Sequence, residues 1–259
     1  MKKLLLILTF LFTCNLQAEE NALRFVIVPD QDRDDLLALW QPVVKQINKA
    51  TDLNLKLEIP TTMADFEHDM AQQKFDVAYA NPIQYVQQQQ HYIPIMRAKQ
   101  KNMVILLLGN QHHKIKTLKD FDQQTLFFTD KNASFIPLHE LNKHHVTINP
   151  RYVKNQETLY RTIAMGLYDY TAGDQYSFEK LRPSLQDKLT ILWESPAYTG
   201  HGLLLKKDLT EIQKTLTDAL LTWQKTHKGK RHLKRLHLEN IIPAKASDWD
   251  DIRAIMPKK

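Results

Sequence analysis

The chain has 259 residues, with 35 Lys+Arg against 29 Asp+Glu, 11 His, one Cys and 6 Gly, and is 43% hydrophobic and 25% charged. That balance belongs to a folded globular chain and excludes a disordered polymer, a collagen-like fibre, a disulfide scaffold and a polytopic membrane protein. The length suits one large domain or two of modest size, and the formal charge of +6 raises the question of anionic partners.

Lys2 and Lys3 precede an apolar run, 4–13, that is too short to span a bilayer, and a polar stretch then leads to Ala18, Glu19 and Glu20. This predicts a cleavable signal over residues 1–18, cut after Ala18, and export to the periplasm. The competing reading is a lipoprotein acylated at Cys14, which the bulky approach Leu11-Phe12-Thr13 disfavours. A retained signal anchor is disfavoured by the short apolar run. Cleavage leaves 241 residues and removes two lysines, no acids and the lone cysteine, so the mature charge is +4. A cysteine-free mature chain excludes disulfides, thiol catalysis and cysteine-ligated zinc, and is indifferent to an oxidising compartment.

Run 23–28 (LRFVIV) reads as a strand ended by Pro29-Asp30. Asp34-Asp35 open a helix with Leu36, Leu39, Trp40, Val43, Val44 and Ile47 at helical spacing. A strand over 53–59, a helix over 63–73 capped by Thr61-Thr62, and a strand over 75–80 follow. This rhythm predicts parallel strands with helical crossovers. Further strands are predicted at 103–108, 126–129, 168–172, 190–193 and 202–205, with helices at 134–143 and 157–165. From Leu209 onward the pattern is helical. The fold class is α/β with two small sheets, and a ligand is expected where strand C-terminal ends face a cleft.

Three strand-to-helix junctions carry the polar candidates. At 79–85 a strand delivers Tyr79, Asn81 and Tyr85, with Pro82 suited to a first helical turn whose free N–H groups favour an anion. A plain helix start with two packing tyrosines explains the same residues. At 129–135, Asn132 and Ser134 suit N-capping, or else the Ser134 hydroxyl and helix N–H groups form an anion nest. At 173–176, Asp174 holds a ligand's ammonium or hydroxyl groups, or caps the helix that begins at Gln175, with Tyr176 alongside.

With those junctions in view, a family resemblance emerges. Run 24–29 (RFVIVP) followed by Leu39-Trp40-Gln41-Pro42 resembles the start of the phosphonate/phosphite/phosphate-type periplasmic substrate-binding proteins of ABC transporters. The segment 76–85 (DVAYANPIQY) is similar to that family's strand-and-helix signature. Segment 166–176 (GLYDYTAGDQY) resembles its Gly-x-x-Asp region with the site carboxylate, and 192–198 before Gly202 resembles its return strand. Together they span essentially the whole mature chain in order.

The resemblance implies a type II periplasmic-binding fold: two lobes, each a mostly parallel sheet flanked by helices, joined by two crossing strands. Lobe one would hold 19–105 and 200–259, and lobe two 106–199, with crossings near Gly109 and 198–202. Ligand contacts are expected from Tyr79, Asn81 and Tyr85 in one lobe and Ser134, Asp174 and Tyr176 in the other, with Tyr198 near the crossover. The family places serines and threonines at a helix N-terminus in lobe two, whereas 132–134 here keeps only the Ser134 hydroxyl. The ligand therefore stays open between a phosphonate- or phosphate-like oxyanion and a small zwitterion or organic cation stacked on tyrosines, with Asp174 as counter-charge.

Catalysis has no constellation: the sequence contains no nucleophile elbow, P-loop, dinucleotide fingerprint or zincin helix. The expectation is a non-enzymatic solute-binding protein without cofactors, serving an inner-membrane ABC permease. A periplasmic sensor working with a histidine kinase or cyclase is the alternative, and export speaks against nucleic acid. His112-His113 and His144-His145 invite a metal reading, but adjacent histidines diverge, so surface positions are expected. Lys225, Lys228, Lys230, Arg231, Lys234 and Arg235 form a basic stretch, read as a solvated helix face or a contact for anionic lipid or a partner.

Overall fold

In the computed structural model, residues 22–153 and 155–256 are described. The expected signal segment, with Cys14 and the expected cleavage position after Ala18, lies outside the described residues. The chain forms two units by contact: residues through Lys99 with His201–Asp248, and Gln100–Gly200 with the segment from Trp249. The chain therefore passes between units at Lys99, at Gly200 and again at Asp248, three passages where two were expected.

The first unit is built on β1 (Leu23–Ile27), α1 (Arg33–Ala50), β2 (Leu55–Glu58), α2 (Met63–Ala71), β3 (Val77–Ala80), α3 (Pro82–Gln88) and β4 (Tyr92–Ala98). The return segment adds β10 (Gly202–Lys206), α8 (Gln213–Lys225), α9 (His227–Arg235) and β11 (Ile241–Pro243). The sheet order is β11-β4-β10-β3-β1-β2. β1 runs parallel to β2 and β3, as the crossover rhythm requires. β10 enters antiparallel to β3 and β4, and β11 antiparallel to β4. The Asp32 carboxylate caps α1 by accepting from the Asp34 and Asp35 amides at 2.9 and 3.4 Å. The apolar stripe predicted from spacing, Leu36 to Ile47, is the buried stripe, and it packs with Leu216, Leu220 and Trp223 of α8 in one core.

The second unit holds β5 (Ile105–Asn110), β6 (Thr125–Phe128), α4 (Lys131–Lys143), β7 (Asn149–Tyr152), α5 (Gln156–Ala164), β8 (Tyr170–Asp174), α6 (Gln175–Glu179), α7 (Pro183–Gln186), β9 (Leu189–Glu194) and α10 (Asp250–Ile255). The order β7-β6-β8-β5-β9 has β6 parallel to β7 and β8, and β5 antiparallel to β8 and β9. Gly109, expected at a crossing, sits inside β5.

The domain expectation placed 200–259 in the first lobe. The terminal segment instead packs with the second unit. Trp249 is fully buried and its indole N–H donates to the Gly200 carbonyl at 3.0 Å. Asp251 accepts from Lys101 at 2.7 Å and from the Thr199 amide at 3.0 Å. Burial pushes Asp251 up, but Lys101 and Thr199 outweigh it and hold the carboxyl below its ordinary range. The segment from Trp249 thus ties together the stretches that lead into β5 and out of β9, which pair through Met103 and Tyr198.

Candidate functional site

In the first unit, parallel β1 and β3 end on the same edge of the sheet. The Val28 amide donates to the Tyr79 carbonyl at 3.0 Å, carrying the pairing one residue beyond β1. Past this point the chain turns into Pro29-Asp30 and Asn81-Pro82, and β10 begins there because Gly202 pairs Ala80. Three rings line up. Buried Trp40 lies 4.5 Å from the Tyr79 ring, and half-buried Tyr79 stacks on His201 at 5.2 Å and 19°. The His201 Nε2 faces Asp30 Oδ2 at 3.3 Å, with both side chains part-exposed. A carboxylate, an imidazole and a tyrosine face therefore share one sheet edge.

Asn81 and Tyr85 have other duties. The Asn81 side chain accepts from the Gln84 amide at 2.9 Å, and the Gln84 side chain accepts in return from the Asn81 amide at 3.3 Å. This reciprocal capping box starts α3 behind Pro82. Asn81 itself stays half-buried at the sheet edge. Tyr85 is only 1% exposed, so its ring belongs to the interior and presents no surface to a ligand. Of the two tyrosines expected at this junction, only Tyr79 keeps a part-exposed ring.

In the second unit, parallel β6 and β8 bring two further junctions to one edge. The N-cap of α4 is Asp130, accepting from the Ala133 amide at 2.8 Å; neither Asn132 nor Ser134 caps it. Ser134 is 1% exposed and its hydroxyl donates to the Lys131 carbonyl at 2.7 Å. The expected anion nest is thus replaced by a carboxylate outside and a hydroxyl folded inward, because Asp130 reaches the first-turn N–H groups one residue before the hydroxyl's turn begins.

Asp174 ends β8 and caps α6, accepting from the Ser177 amide at 2.8 Å. Of the two roles posed by the sequence, capping is the one in place, and the carboxylate stays half-buried. Gly173 makes room beneath it: an added Cβ would overlap the hydroxyl oxygen of buried Tyr160. Burial, then the charge of Asp174, hold the Tyr160 phenol above its ordinary range. Tyr176 is half-buried, with the Lys180 ammonium 5.1 Å over its ring.

Tyr198 is tied up. It is 6% exposed, and its hydroxyl donates to Glu140 of α4, which also takes Lys143 at 2.8 Å. Burial and Glu140 raise the phenol; burial pushes Glu140 up, but Lys143 and Tyr198 outweigh it and leave the carboxyl below its ordinary range. This pair anchors the return segment to α4. Asp30, His201, Trp40 and Asp130 were not singled out as ligand candidates. His201 carries no local motif, and only the topology brings it to Asp30. The Asp130 cap was the one local signal available, standing three residues before Ala133.

Among the described residues, no group of three or more His, Cys, Asp or Glu could hold a metal ion, and no helix is long and apolar enough to cross a membrane.

Two units, each a mixed sheet flanked by helices, define the periplasmic-binding class of α/β fold, and solved structures agree. A binding component of an ABC phosphonate transporter from Pseudomonas aeruginosa matches with a TM-score of 0.77 at 19% identity, covering 90% of this chain and 85% of that one. PhnD1 from Prochlorococcus marinus, solved with methylphosphonate, matches with a TM-score of 0.79 at 18% identity, covering 91% and 97%. The aliphatic sulphonate binding protein of Escherichia coli matches with a TM-score of 0.60 at 17% identity, covering 88% and 83%. Comparison with curated protein sequences gives no significant match. The family model for phosphonate-type periplasmic substrate-binding proteins of ABC transporters matches residues 25–249, and the chain belongs to that family.

Proposed function

We propose that the chain, exported through its signal segment, captures a small ligand bearing a positive charge, as a zwitterion or organic cation, for an ABC permease. The observation that carries this ligand class is Asp130. Where a free helix N-terminus would receive an oxyanion, the chain supplies its own carboxylate, and the Ser134 hydroxyl is engaged inside the helix. A second anionic group there would meet like charge. Asp174 and Asp30 add two more carboxylates at strand ends, with the part-exposed rings of Tyr79 and Tyr176 on the same junctions, and the Tyr176 ring already carries the Lys180 ammonium. The proposed ligand residues are therefore Tyr79, Asn81, Asp30 and His201 from the first unit and Asp174 and Tyr176 from the second. Tyr85, Ser134 and Tyr198 serve the fold.

The test is a thermal-shift panel on the wild-type protein: phosphate, methylphosphonate, an aminoalkylphosphonate, a primary amine and a quaternary ammonium compound. A ligand that binds only the native state stabilises it by about 2.7 kcal/mol at a hundredfold excess over Kd. A shift with the cation-bearing compounds and none with methylphosphonate is expected. A shift with phosphate or methylphosphonate alone would overturn the ligand class.

A further inference from the structure

The first unit carries a second charged feature on its outer helices. A groove of about 400 Å³ runs along α1 beside the start of α9. Leu37 and Pro42 give it an apolar floor, and Lys45, Lys49 and Lys228 contribute ammonium groups to its lining. Beyond it, α9 (HKGKRHLKR) exposes Lys230, Arg231, Lys234 and Arg235. Residues 36–50 and 227–235 contain no Asp or Glu. Among the described residues, none of these seven cations lies in an ion pair.

The fold fixes this face firmly. Buried His232 hydrogen-bonds through Nε2 to the Leu39 carbonyl at 2.6 Å, and Leu233 joins the core, so α9 is held against α1 by one side. Gly229 permits the approach of α9 to α8, since a Cβ there would overlap the Trp223 carbonyl oxygen. At 100° per residue the five α9 cations occupy the arc opposite Gly229, His232 and Leu233. Seven like charges held close together repel one another unless an anionic surface covers them.

We propose that this face is a membrane-docking surface for anionic phospholipid. The convex basic side of α9 spreads its charge over a broad arc, which suits a plane of headgroups better than one peptide strand. The lysine-lined groove with its apolar floor suits a single headgroup phosphate and its glycerol. Each Lys or Arg at an anionic bilayer contributes about 1 kcal/mol, roughly fivefold in partitioning, and the attraction is screened by salt. Docking would hold the loaded protein at the bilayer that contains its permease.

The test is flotation of the full chain with vesicles of phosphatidylglycerol and phosphatidylcholine (1:3), against pure phosphatidylcholine and against soluble polyglutamate. Binding to the anionic vesicles only, lost in high salt, is expected. K45Q/K49Q/K228Q should lower partitioning about a hundredfold, with ligand thermal shifts unchanged. K230Q/R231Q/K234Q/R235Q should lower it roughly six-hundredfold from the convex side, which keeps the test open should either variant fold poorly. No wild-type binding, equal binding by a well-folded variant, or binding of polyglutamate without binding of vesicles would each overturn the proposal.

Discussion

Asp174 caps α6, and under the proposed function the same carboxylate also meets the ligand. Its carboxylate caps α6 through the Ser177 amide, yet remains half-buried at a strand end above Gly173 and Tyr160. Asn caps as well as Asp, so Asp174→Asn should keep the melting temperature and remove only the counter-charge. A cationic ligand's Kd is then expected to rise about tenfold to a hundredfold, in line with ~1.5–3 kcal/mol for a hydrogen bond to a charged group. Unchanged affinity in a titration would exclude Asp174 from the site. Asp174→Ala would blur the result by also losing the cap. Asp174 was legible because it stands in a local motif; His201 and Asp30 were not. Nothing near His201 in sequence indicates that its ring will stack on Tyr79 and face a carboxylate from β1's exit.

Among the elements, local pattern worked where an apolar stripe or run is continuous and failed where it is absent or interrupted. The stripe of α1 and the runs of β1, β5 and β10 are apolar enough to read directly. β7 (NPRY) is an exposed four-residue edge strand, and Pro150 removes a donor it does not need. β4 carries Pro94 in its middle, which removes a ladder donor, and the register shift between Leu203 and Leu204 on its partner falls beside that proline. The α4 start was misplaced by two to four residues because three potential caps stand in succession, and Asp130 wins with the strongest acceptor. Asp130→Ser should preserve the cap while removing the charge. If Asp130 is what repels oxyanions, this variant gains a thermal shift with methylphosphonate that the wild type lacks; no gain would place the exclusion elsewhere. At α9, Gly229→Ala forces a Cβ into the Trp223 carbonyl. An overpacking cost of ~1–3 kcal/mol is expected, seen as a drop of roughly 2–12 °C in melting temperature.

For the whole molecule, the third passage between units at Asp248 was the largest surprise. It follows from contacts that no local reading reveals: Asp251 meets Lys101 150 positions away. On the first unit's side, Arg97 holds Asp248 at 2.9 Å. Burial raises Asp248, but Arg97 and the Lys245 amide bring it below its ordinary value of 3.8. Glu140, Asp248 and Asp251 all have folded-state values depressed below the unfolded ones. The folded state therefore binds fewer protons, so their stabilisation is complete above the ordinary carboxylate range and is lost as pH falls through it. Melting temperature measured from pH 7 to pH 3 should fall below about pH 4.5, and Asp251→Asn should start lower and decline less steeply. A parallel decline in both proteins would remove Asp251 from the acid-labile set.

The most direct test of the central claim is calorimetric titration of the wild-type protein with paired ligands that share one skeleton, an alkylphosphonate and its amino-substituted zwitterion, repeated on Asp174→Asn. Saturable one-to-one binding of the zwitterion, weakened in the variant, with no heat from the alkylphosphonate, is the expected result. Equal binding of both compounds, indifferent to the variant, would contradict it.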